Sequence, residues 1–145
     1  MQILSEPLRS QYIDLNSIQP FSSVSIKPFI QVHEFERGEF IYKEGSIPEY
    51  LYLIVEGKAK LYITLENGKV SLLNFIEAPS LIGELELLGV EQYSIGVQTS
   101  TKTICLAIPM HICKNQLLED PVFLRHLSIF LSKKLPSPFF TIFGA

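Results

Sequence analysis

The sequence has 145 residues, one domain's worth, and enough to bury roughly 68–70% of the surface its unfolded chain exposes. Its 12 basic and 15 acidic side chains leave a net charge of −3, so there is no global basic footprint for nucleic acid. Hydrophobic residues at 47% and charged residues at 19% argue against disorder, yet no apolar run approaches the ~18–20 residues that span a bilayer. The start, Met1 to Glu6, has no basic stretch followed by an apolar core, so no signal peptide is expected. Cys105 and Cys113 are too few for a disulfide scaffold or a four-cysteine metal site. A cytoplasmic single-domain protein is the expectation.

Residues 1–30 read as a helical segment. Ile3, Leu4, Leu8, Tyr12 and Ile13 recur at roughly helical spacing, interrupted by Pro7, and Pro20 and Pro28 punctuate the remainder of the segment. From Gln31 the texture becomes β-like. Glycines at 38, 45, 57 and 68 separate short apolar runs, the rhythm of a sandwich or barrel. Tyr50 to Val55 is nearly continuous, fit for a strand buried on both faces. Lys58 to Leu65 alternates, with Ala59, Leu61, Ile63 and Leu65 on one face. Asn67-Gly68 is a strong hairpin signal, because both central residues of a type I′ turn need positive φ, and Val70 to Ile76 is the partner strand. Ala78-Pro79 ends that hairpin.

Leu81 to Gly89 reads as a short strand, then one or two helical turns closed by a glycine. Tyr93–Thr99 and Lys102–Ile108 are two further strands. Pro109 opens a helix over 109–118, and Asp120-Pro121 starts the last one, which runs to about Leu135. Phe123, Leu127, Phe130 and Leu131 form its apolar stripe. Pro136-Ser137-Pro138 forbids further helix, and the tail 139–143 is apolar without an evident partner. The expected divisions are a helical segment 1–30, a β-barrel 31–108, helices 109–135 and a tail 136–145.

This order resembles the cyclic-nucleotide-binding domain of the Crp/Fnr regulators, a mainly β fold with flanking helices built around a double-stranded β-helix, or jelly-roll-like barrel. The stretches that carry the resemblance are Phe35–Ile41 with Glu44-Gly45, Tyr52–Leu61, Ile82–Leu85 and Cys105–Ile108. Within that family the stretch from Gly57 to Glu84, and Ala107–Met110, looks most like the YeiL-type regulators. The resemblance implies an effector-sensing and dimerisation domain, not an enzyme. It also implies a ligand cassette at Gly83, Glu84, Leu85, Tyr93 and Ser94, and a dimer face at Phe123, Leu127, Phe130 and Leu131.

There are two departures. The family's nucleotide-binding members place an arginine before Ser-Ala to pair with the cyclic phosphate, and here the matching position is Tyr93. Members also continue through a long dimer helix into a helix-turn-helix domain, which is missing after Lys134. DNA is therefore expected only through such a domain, not through this chain, which is either a fragment or an early-ending gene product. A homodimer and an unidentified small-molecule effector are the expected partners, with no membrane.

The residues themselves leave alternatives open. Glu84 would accept hydrogen bonds from a ligand ribose, or it caps a helix start while Gly83 only turns the chain. Between Lys69 and Lys102 there is no Lys, Arg or His, whereas Glu77, Glu84, Glu86 and Glu91 lie there. A helix dipole is worth about 0.3–1 kcal/mol to an anion, against about 1.5–3 kcal/mol for a lost charged hydrogen bond. A cyclic nucleotide is thus disfavoured but still open, subject to Lys58 or Lys60 folding over the pocket, and no other cofactor is expected. Tyr93 either meets a neutral ligand or packs on the barrel. Cys105, His111 and Cys113 are one ligand short of a closed zinc site and read as core or surface residues. The first cysteine comes too late for the family's four-cysteine iron–sulfur cluster. His33 and His126 read as satisfied or exposed. A barrel oxygenase would need a close histidine pair, and no His-x-His occurs. The runner-up to a sensor is a ligand-free interaction module.

Overall fold

The computed structural model describes residues 1–16, 22, 25–64, 67–89 and 95–133. Among these residues nine strands form two antiparallel sheets. The first sheet has the order β1-β2-β9-β4-β7, from β1 (Gln2–Ile3), β2 (Gln31–Phe35), β9 (Thr103–Pro109), β4 (Tyr50–Glu56) and β7 (Ser80–Ile82). The second has the order β3-β8-β5-β6, from β3 (Phe40–Tyr42), β8 (Ile95–Thr99), β5 (Lys58–Thr64) and β6 (Val70–Glu77). Among the described residues eight strands therefore fall within 31–109, as a jelly-roll-like pair of sheets, and no hydrogen bonds between those strands close the barrel. Gln2–Ile3 corrects the reading of the start of 1–30 as part of a helical segment. It adds an edge strand to β2, and α1 begins only at Leu8, running to Asn16.

The five-stranded sheet lies in the middle of the molecule, because its strands bury both faces. On β4, Leu51 and Leu53 face the helices while Tyr52 and Ile54 face the second sheet. On β9, Ile104, Leu106 and Ile108 face the helices, and Cys105 and Ala107 the second sheet. A period-two backbone carrying an unbroken apolar run has no other way to leave water. The four-stranded sheet buries one face only. Ala59 and Ile63 are buried and Leu61 is half-buried, while Lys58 and Lys60 project outward opposite Glu77 and Phe75.

The hairpin tip holds Asn67 and Gly68, but Thr64 pairs with Val70, a register that is centred on Asn67 and so does not fit a two-residue Asn67-Gly68 turn. Gly68 supplies the positive φ of +80°, and the Asn67 Oδ1 accepts from the Lys69 amide. After β7, Gly83 leads into α2 (Glu84–Leu87). The helix expected from Pro109 begins at Met110 as α3 (Met110–Ile112) and widens into a π-helical stretch over Cys113–Leu117. α4 (Pro121–Lys133) starts as its sequence predicts: the Asp120 Oδ1 accepts from the Val122 amide at 3.0 Å.

The stripe of α4 is covered by the chain's own sheet. Phe123 and Leu127 are fully buried in the helix-side core, and Phe130 and Leu131 pack half-buried against it. Of the expected dimer face, Phe123 and Leu127 are thus already used within the chain, since they lie against the outer face of the five-stranded sheet. Among the described residues no helix is long and apolar enough to cross a membrane.

Candidate ligand site

The cassette begins where β7 ends against β4. Gly83 has φ of +97°, and a Cβ there would stand 3.1 Å from the Tyr50 carbonyl oxygen. Backbone hand and close approach both select glycine at this place. The next residue, Glu84, is the first of α2 and is buried, an uncommon place for a carboxylate. Leu85 is the second residue of α2. Tyr93 and Ser94, the rest of the expected cassette, lie outside the described residues.

The structure adds two tyrosines that sequence patterns did not single out. Tyr42 comes from β3 and Tyr50 from β4, and both pack half-buried on the cluster between the sheets, to which Ile82 also belongs. Burial, together with the negative charge of Glu84 and Glu86, raises the Tyr42 phenol well above its ordinary ionisation range. Glu44 lies against Gly96 of β8, where a Cβ would meet its side chain at 3.1 Å. This end of the inter-sheet space is therefore aromatic and acidic. Lys58 and Lys60 do not fold over it, because they share the outer face of β5.

Behind this rim lies a buried polar group. His33 is fully buried on β2, its ring edge-on to Tyr50 with centroids 4.8 Å apart. Its Nε2 donates to Gln31 Oε1 at 2.8 Å, which leaves Nδ1 to accept from the Tyr52 hydroxyl at 3.1 Å. Burial lowers the pKa of His33 to about 4, so the ring is neutral. It is a satisfied core histidine, the first of the two alternatives that the sequence leaves open.

The sulfur groups are inert core. Cys105 faces the second sheet and Cys113 the helices, on opposite sides of the middle layer, and His111 is exposed. Burial pushes the Cys113 thiol up to about 12 and the Cys105 thiol higher still.

Residues 32–120 match the family model of the cyclic nucleotide-binding domain. Over 104 residues the chain is 40% identical to the regulatory protein YeiL of Escherichia coli O157:H7, covering 72% of this chain and 48% of that protein. The chain spans about half the length of the curated relatives it matches. In fold it is similar to the sensor domain of the transcriptional regulator DNR from Pseudomonas aeruginosa. The TM-score is 0.66 at 13% identity, over 87% of this chain and 90% of that one. It is also similar to a regulatory subunit of a cAMP-independent protein kinase A from Trypanosoma cruzi bound to guanosine. There the TM-score is 0.59 at 21% identity, over 87% of this chain and 51% of that one.

Proposed function

The chain belongs to the cyclic nucleotide-binding domain family, in its Crp/Fnr branch, and from this we propose that it is the effector-sensing domain of a cytoplasmic transcription regulator whose effector lacks a cyclic phosphate. The observation that carries this reading is the charge at the cassette. Glu84 is buried, Glu86 adds a second negative charge on the same helix, and Lys58 and Lys60 lie on the outer face of β5. An anion entering there meets carboxylates while Lys58 and Lys60 lie on the outer face of β5, which costs more than a short helix returns. An uncharged nucleoside meets one carboxylate acceptor for its hydroxyls and aromatic rings for its base. The guanosine-bound trypanosomal relative makes a nucleoside the natural first probe.

Signal transfer follows the packing. Leu87 of α2 and Leu81 of β7 lie in one core with Phe123 and Leu127 of α4. A ligand that moves α2 moves a neighbour of α4. The flank of α4 that the sheet leaves outside, including Ile129 at 45% exposed, is our candidate for a homodimer contact. DNA is reached through a helix-turn-helix domain, which none of the described elements forms. The domain itself catalyses nothing in this reading.

Calorimetric titration with guanosine, adenosine and their cyclic monophosphates tests the proposal. A nucleoside binds and the cyclic nucleotides bind weakly; Tyr93→Arg strengthens cyclic-nucleotide binding and Glu84→Ala weakens the nucleoside. Low-micromolar or tighter affinity of the unaltered chain for cyclic AMP overturns it. Absence of any binding favours a ligand-free interaction module.

A further inference from the structure

Among the described residues the two sheets end in four edge strands. β1 has two residues, β3 and β7 have three each, and β6 has eight. A short edge offers a foreign strand almost no ladder, whereas eight residues form a full template. Phe75, at 66% exposed, makes that template apolar as well. One bond fixes the hydrogen-bonding parity of β6. The Ala78 amide donates to the Gly57 carbonyl, so Ile76, opposite Ala59, and Asn74, opposite Leu61, exchange their backbone bonds with β5. The N–H groups of Phe75 and Glu77 therefore point to the free edge. The next position of that parity is Pro79, which has no N–H. The Phe75 N–H is already taken, because it donates to Asn74 Oδ1 at 2.9 Å. Beyond it, Asn74 lies opposite Leu61 but Leu72 lies opposite Tyr62, so residue 73 is the added residue of a bulge that breaks the regular spacing of the edge.

We propose that Asn74 guards the β6 edge, holding closed an interaction surface whose fitting partner is the β6 strand of a second copy of this chain. The fit follows from symmetry. Two β6 strands paired antiparallel about Ile76 place Phe75 of each opposite Glu77 of the other. The outward N–H and C=O groups then meet, and no like charges stand directly opposite. With the Asn74 oxygen in place, Phe75 does not donate across that pair, and over residues 75–79 only the Glu77 amide is left to the incoming strand. A side-chain amide that bonds a neighbouring backbone N–H competes with a ladder in this way. The guard has a purpose in a chain proposed to meet its twin through α4. One symmetric contact at α4 and a second at β6 would link copies into open-ended assemblies instead of a closed pair.

The test uses the full chain carrying Ile129→Glu, so that the flank of α4 does not contribute. Asn74→Val removes the acceptor and keeps a strand-forming side chain. In light scattering, Asn74→Val gains apparent mass with concentration more steeply than its parent. Adding Glu77→Pro deletes the remaining edge amide without touching the ladder to β5, and it restores the behaviour of the parent. In the unaltered chain, hydrogen exchange followed by NMR and corrected for intrinsic rates finds the Phe75 amide about threefold to tenfold slower than that of Glu77, the factor that one net hydrogen bond confers. That measurement needs no variant and decides the matter where Asn74→Val does not fold. Equal exchange at Phe75 and Glu77 overturns the guard. An Asn74→Val chain that keeps the melting temperature of a folded protein and associates no more than its parent overturns it too. Association that survives Glu77→Pro runs through another surface and overturns the assignment to β6.

Discussion

Gly57 and Gly38 separate two costs that a glycine can avoid. Both have positive φ, +105° and +84°. Around Gly38 an added Cβ meets nothing within 4 Å, but at Gly57 it would come to 2.5 Å from Thr103 Oγ1 and 2.6 Å from the Lys102 carbonyl. Gly38→Ala is therefore expected to lose only the conformational part, about 1 kcal/mol. Gly57→Ala is expected to lose at least about 3 kcal/mol, because β9 has to shift away from the β4–β5 corner. Urea unfolding of the two variants checks the difference; equal losses contradict it. His33 makes a second residue-scale case. Its folded pKa of about 4 lies below the ordinary 6.5, so in that window the unfolded chain binds the extra proton. Stability conferred by the neutral ring is complete above about pH 6.5 and falls as pH drops toward 4, by about 2 kcal/mol between pH 7 and 5. His33→Gln should flatten this part of the pH–stability curve, measured as the difference between the two proteins so that shared carboxylates cancel.

α4 shows how one apolar stripe admits two destinations. The positions 123, 127, 130 and 131 demand cover, and the pattern alone is equally consistent with a twin helix and with the chain's own sheet. The sheet covers Phe123 and Leu127 completely. Leu127→Ala should accordingly cost about 2–5 kcal/mol as a core truncation, independent of protein concentration. An effect that vanishes on dilution would show that the residue serves an interface instead. Asp120→Ala removes the cap on the Val122 amide and should cost about 1 kcal/mol, read as a lower melting temperature. At the other end of the fold, β3 illustrates an element-scale feature that propensity does not encode. Its inserted residue determines which way Tyr42 points, and only the partner strand β8 reveals the insertion.

For the molecule as a whole, the three-layer arrangement decides what remains for association. With the main stripe consumed, the outer flank of α4 around Ile129 is the surface proposed for contact with a second copy. Light scattering across concentrations should show a weak dimer that Ile129→Glu abolishes while the melting temperature stays unchanged. A strict monomer at high micromolar concentration would remove dimerisation from the proposed function.

What the sequence by itself determined is local. The turn at Asn67-Gly68, the inward face Ala59-Leu61-Ile63, the two-sided run Tyr50–Val55 and the start of α4 at Asp120-Pro121 all follow from φ restrictions, side-chain period and capping, which act over a few residues. The family motif at Gly83-Glu84 was legible for the same reason, as a short string. Only the tertiary structure decided the long-range matters. Residues 2–3 add to the sheet's edge, α4 lies against its own sheet, and Tyr42 packs on the cluster between the sheets opposite Val97. These depend on which strands become neighbours and on one inserted residue in β3, and such pairings leave no periodic trace in the residues that take part in them.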